Sequence, residues 1–172
     1  MMCYNRNMIK KAMILFVCVL LSCLALPVSA LSETQEAAIV KKCDSIQEKL
    51  KLVQKRDARV RVYLGALYEK ILTKYIVPLN VRLVENSVTN VSLIENQNSF
   101  AEARIGFMND FVYYQRSLEE LVATNCETNP QDFYQKLEQV RTKREKMTKD
   151  VAELSELLTK QKSFVSELKG SL

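Results

Sequence analysis

The stretch 129-NPQDFYQKLEQVRTKREKMTKDVAELSELLTKQKSFVSELKG-170 decides the fold. Phe133, Leu137, Val140, Met147, Val151, Leu154, Leu158, Val165 and Leu168 recur along it in steps of three and four, with Arg144 and Gln161 completing the row. That spacing lays one stripe along a helix and is the seam of helix packing. Asn129 stands as a cap, and Pro130 takes the first helical position, where a missing N–H costs nothing. Gly170 supplies the stop.

Working upstream, Ser92 with Glu95 has the form of a capping box. Behind it runs a second stripe of Leu93, Gln97, Phe100, Arg104, Phe107, Phe111, Tyr114, Leu118 and Leu121. Ser32 with Gln35 is another such box. It precedes Ile39, Cys43, Ile46, Leu50, Val53, Val60, Leu64, Leu67 and Ile71, a row interrupted only by Asp57. The phase survives on both sides of Asp57, which reads as one helix. The alternative is four helices, with a break at Gln54–Asp57 and Asp57 as an N-cap. Pro78 kinks or ends the first helix near Tyr75–Val77. The turn formers of Asn86–Asn90 place the chain reversal within Asn80–Ser92. No strand alternation of useful length appears. The expected fold is all-α, an elongated antiparallel up-down-up bundle of three long coiled-coil-like helices, each on the order of 50–65 Å.

The first thirty residues read as an export signal. Arg6, Lys10 and Lys11 precede an apolar run from Ala12 to Leu26, Pro27 breaks it, and Val28-Ser29-Ala30 places cleavage between Ala30 and Leu31. The alternatives are an uncleaved anchor or a lipid on Cys23, which follows Leu20-Leu21-Ser22. Three of the 25 basic residues and none of the 20 acidic ones lie in this signal, so the remainder carries a net charge of +2. That balance argues against nucleic acid, which calls for a clustered basic surface. Residues 31–172 suit a single helical-bundle domain.

Outside the signal only Cys43 and Cys126 remain of the five cysteines. In an exported chain such a pair is most simply a disulfide. The two are equidistant from a point inside Asn80–Ser92, so a helical hairpin folded there brings them to one end. Cys126 lies one residue past its helix row, in the fraying turn. This register sets Gly65 level with Arg104 and Gly106 level with Tyr63, with the glycines making room for the larger side chains. It also levels Asp57 with Arg144. The two form a core ion pair that fixes register, or else Asp57 marks a helix break and Arg144 snorkels to water.

The chain has no histidine, which removes the usual general base, the Ser-His and Cys-His pairs and most zinc arrangements. Glu119, Glu120, Glu153 and Glu156 read as solvated surface. There is no Gly-rich phosphate loop and no G-x-S-x-G motif. No catalytic residue, metal or cofactor is expected. The densest basic run is Arg141–Lys149, a solvated helix face or a site for phosphates, anionic polymers or lipid. Tyr68 and Tyr113 lie off the stripes, which marks them for an outer contact surface. Asn90-Val91-Ser92 is a glycosylation sequon if the source is eukaryotic.

The segments 61-RVYLGALYEKIL-72, 76-IVPLNVRL-83 and 111-FVYYQRSLEEL-121, with Cys43 and Cys126, resemble small uncharacterised exported helical proteins of ultrasmall, host-dependent bacteria. The resemblance implies a bacterial, extracytoplasmic location and adds no activity. The expected function is a secreted or envelope-associated binding or scaffolding protein without catalysis, partnered by a protein or cell-envelope component and open to self-association. A chaperone-like or lipid-associated extracytoplasmic role is the second expectation, and an enzyme of unknown type the third. No small-molecule substrate is evident.

Overall fold

A computed structural model describes residues 31–88 and 90–171. The expected export signal, residues 1–30 with Cys23 and the Ala30 side of its cleavage point, lies outside them. Glu33–Leu172 forms one compact unit. The described residues are all-helical, with α1 at Glu33–Lys41, α2 at Cys43–Ile71, a π turn at Leu72–Ile76, α3 at Val77–Glu85, α4 at Val91–Ala123 and α5 at Pro130–Ser171.

Neighbouring helices pair antiparallel. Gln47 Nε2 donates to the Thr124 carbonyl at one end, and Asn80 Nδ2 donates to the Leu93 carbonyl at the other. Between α4 and α5, Lys136 Nζ meets Thr124 Oγ1 while Asn96 Nδ2 reaches the Leu157 carbonyl. The core follows the stripes: Phe100, Phe107, Phe111, Leu118 and Leu121 of α4 close on Phe133, Val140, Met147 and Leu154 of α5. Phe107, Phe111 and Tyr114 form an edge-to-face ladder with centroid spacings of 6.0 and 5.8 Å. Such pairs add roughly 0.5–1.5 kcal/mol each beyond their burial.

The segmented reading of the first run fits, but its breaks fall elsewhere. α2 passes unbroken through Asp57, and the chain leaves α geometry at Lys42, with φ −111° and ψ 11°. The second departure is the π turn before Pro78. There the Val77 N–H reaches back to the Leu72 carbonyl, a wide turn that admits a residue without an N–H. The helix therefore continues beyond Pro78 to Glu85, so the reversal is confined to Asn86–Asn90. Ser87 takes the left-handed conformation, φ 61°, and its N–H and that of Val88 close on the Val84 and Leu83 carbonyls. This is the Schellman ending that glycine more often occupies. Asn90, not Ser92, caps α4, because its side chain accepts from the Leu93 N–H at 3.1 Å.

Both glycine expectations change. A Cβ on Gly65 would meet Met108 Sδ at 3.1 Å, while Arg104 turns instead to Glu69 at 2.7 Å. Around Gly106 nothing lies within 4 Å of a built Cβ, and Tyr63 points to solvent at 67 % exposure. Gly106→Ala is therefore expected to stabilise the protein by about 1 kcal/mol through helix propensity alone. Chemical denaturation checks this, and a destabilised variant would contradict the open surroundings.

Candidate functional site

Asp57 is the charged residue that the sequence row could not absorb, and α2 carries it to 8 % exposure at the junction with α4 and α5. Tyr114, fully buried on α4, donates its hydroxyl to Asp57 Oδ2 at 2.7 Å. Arg144 Nη2 of α5 stands 3.4 Å from the same oxygen, its side chain 46 % exposed. Arg56 Nε lies 3.5 Å from Oδ1 on the solvent side. A cleft of about 280 Å³ opens beside this group, lined by Asp57 and Arg144 with the apolar Leu64, Phe107, Met147 and Val151.

The electrostatics follow from burial. Desolvation, then the hydrogen bond and charge of Asp57, push the Tyr114 hydroxyl far above the ordinary phenol range. Tyr114 is thus a fixed hydrogen-bond donor and not a base. Tyr68, also buried, is raised by desolvation. With folded values above the unfolded value near 10, the stability linked to these groups is intact below about pH 10 and falls as pH rises past it. Phenolate absorbance of Tyr68 and Tyr114 is expected to lag behind that of exposed tyrosines until unfolding. Tyr114→Phe is expected to flatten the alkaline loss of stability, and an unchanged profile would refute this.

Sequence reasoning paired Asp57 with Arg144 by level but missed Tyr114, which it placed in the apolar stripe. The hydroxyl at the end of a stripe residue directly facing the acidic intruder was the available signal. It also missed two amide clasps. Asn80 Nδ2 donates to the Leu93 carbonyl and to Gln97 Oε1, and Asn96 Nδ2 donates to the Leu157 carbonyl and to Gln161 Oε1. Cys43 and Cys126 lie at disulfide distance, with Cα atoms 5.5 Å apart, where the start of α2 meets the α4–α5 turn. Both are buried. Tyr68, expected outside, is core: its ring meets Phe100 and Phe107 edge-on at 6.1 and 5.7 Å. Tyr113 is 57 % exposed.

The basic run of α5 is largely engaged. Arg141 pairs with Glu138, Lys143 donates to Ser117, Arg144 faces Asp57, and Lys146 pairs with Asp110. Beside that last pair, burial and then the Asp110 charge raise the Asp150 carboxyl. A different cationic surface stands free on α2. Leu52, Lys55, Arg59, Val62, Tyr63, Ala66 and Lys70 recur in helical steps on the side away from the core and are all exposed. Among the described residues, the side chains of Lys51, Lys55, Arg59 and Lys70 make no ion pair or hydrogen bond. No helix there is long and apolar enough to cross a membrane, and no group of three or more His, Cys, Asp or Glu side chains is placed to hold a metal. No family model, curated protein or solved structure matches the chain, so its function is argued from its own residues.

Proposed function

We propose that this chain is a secreted or envelope-associated binding or scaffolding protein without catalytic activity, built as three antiparallel helical runs in up-down-up order. The observation that carries this reading is how the buried carboxylate is used. Asp57 faces Tyr114 and Arg144 across helices, and neither its acceptor oxygen nor the tyrosine proton is free for transfer. Polar groups held in this way set the register of packed helices and leave the outer faces to meet partners. The Cys43–Cys126 pair supports an oxidising, extracytoplasmic compartment. The resemblance to exported proteins of host-dependent bacteria points the same way. Exposed Val62 and Tyr63 favour a second reading, a lipid-associated or chaperone-like role.

Photo-crosslinking in intact cells tests the first reading, with the reactive group placed at exposed Tyr113 or Val165. Discrete adducts with one recurring envelope partner are expected. Recovery of uncrosslinked monomer only, or a turnover activity abolished by Asp57→Asn, would overturn it.

A further inference from the structure

Two basic surfaces were open to this chain, and the structure separates them by what their cations touch. On α5 Arg141, Lys143, Arg144 and Lys146 turn inward or toward neighbouring acids. On α2 Arg61 and Arg56 are engaged by Gln115 and Asp57, whereas Lys51, Lys55, Arg59 and Lys70 lie on the side away from Cys43, Ile46, Leu50, Asp57, Leu64 and Tyr68, which face the core. Leu52, Val62 and Tyr63 stand among them at 66, 71 and 67 % exposure. Lys55, Arg59 and Lys70 lie in the same helical row as Leu52 and Val62, Lys51 stands beside it, and Glu69 is drawn off by Arg104. Asp44 and Glu48 are the exposed acidic residues at the N-terminal end of this face. One helix thus carries a second face on which exposed apolar and cationic side chains are interleaved.

We propose that this outer face of α2 is a docking surface for an anionic lipid bilayer, with the helix lying in the plane of the headgroups. Charge complementarity selects a negative partner. The exposed Leu52, Val62 and Tyr63 among those cations select one that also offers hydrocarbon, which a polyanionic polymer does not. Val62, Leu52 and the Tyr63 ring enter the boundary between headgroups and acyl chains, while Lys and Arg stems extend along it to the phosphates. Tyrosine, with an apolar ring and a polar tip, suits that depth. The envelope location proposed above would bring this face to a membrane, but the contact itself depends only on the residues named here.

Co-sedimentation of the purified exported chain with phosphatidylglycerol-containing vesicles, against pure phosphatidylcholine vesicles, tests the proposal. Selective binding to the anionic vesicles, weakened by added salt, is expected. Lys55→Glu/Arg59→Glu is expected to weaken it by about 30-fold or more. Val62→Ser/Tyr63→Ser is expected to weaken it by roughly 10-fold through lost apolar burial. Lys149→Glu/Lys162→Glu, the same charge change at exposed sites on α5, should leave it unaltered; equal weakening there would overturn the assignment to α2. Equal binding to neutral vesicles, or none to anionic ones, would overturn the proposal outright. Tight binding of soluble polyphosphate, indifferent to Val62→Ser/Tyr63→Ser, would assign the face to a polymer instead. A dimer by light scattering that buries the same face would assign it to a second copy. Any of these failures leaves the crosslinking result, and with it the broader binding reading, standing or falling on its own.

Discussion

Cys43→Ala/Cys126→Ala is expected to lower the unfolding free energy by about 4–5 kcal/mol, the largest loss available from one link in this chain. The two positions are 83 residues apart, so the link closes a long loop in the unfolded ensemble. That restriction removes conformations from the unfolded state while leaving the helices in place. Both residues are buried where the start of α2 meets the turn after α4, so the tie spans two helix ends that have few other covalent constraints. For a domain of this size the effect is a fall in Tm on the order of 12 °C. Thermal melts of oxidised, reduced and substituted protein measure it, and a shift of only a degree or two would remove the staple from the account. Alkylation of the native protein with mass mapping checks the bond itself, since label on Cys43 or Cys126 would show free thiols.

Asp57→Ala is expected to cost about 2–4 kcal/mol, chiefly because it leaves the buried Tyr114 hydroxyl without an acceptor. The partners are unequal. Tyr114 is 1 % exposed and its hydroxyl cannot turn to water, so Tyr114→Phe is expected to cost about 1.5–3 kcal/mol, the range for a hydrogen bond to a charged group. Arg144 is half exposed and 3.4 Å from the carboxylate, so Arg144→Ala is expected to cost under about 1 kcal/mol, as surface pairs do. Double-mutant cycles separate the two couplings. Strong Asp57–Tyr114 coupling beside weak Asp57–Arg144 coupling is the expected pattern, and the reverse order would show that the ion pair, not the phenol, anchors the acid.

Much of the fold was legible because helical periodicity is a local property. The stripes of α4 and α5 name most of the residues that are buried there, and Asn129-Pro130 marks the start of α5 to the residue. The first run was harder. The alternating row passes through Leu67, yet Tyr68 is the core residue and Leu67 only half-buried. The π turn that follows inserts an extra residue into the winding, which rotates the stripe and carries the helix past Pro78. A proline-based stop rule assumes a uniform α helix and cannot anticipate that. Asn80 illustrates the same point, since the sequence placed it at the edge of the reversal, whereas in the fold it lies within α3 and its amide clasps α4 at 6 % exposure.

The candidate surfaces divide along the same line. Arg141–Lys149 is the densest basic run in the sequence, read as a solvated face or an anion site, and five neighbours on other turns and helices engage its cations: Glu138, Ser117, Asp57, Asp110 and, by charge, Asp150. Lys51, Lys55, Arg59 and Lys70 of α2 are spread more thinly and are left free by their position on the outer side.

By itself, the sequence determined that the chain is helical, where its long stripes run and which two cysteines outside the expected signal can meet, since spacing along one helix depends on that segment alone. Only the tertiary structure decided that Tyr114 answers Asp57, that the reversal falls after Glu85, and that the free cationic and apolar face belongs to α2 and not α5. Those outcomes depend on azimuth and on contacts between helices distant in the chain, which a one-dimensional period does not carry.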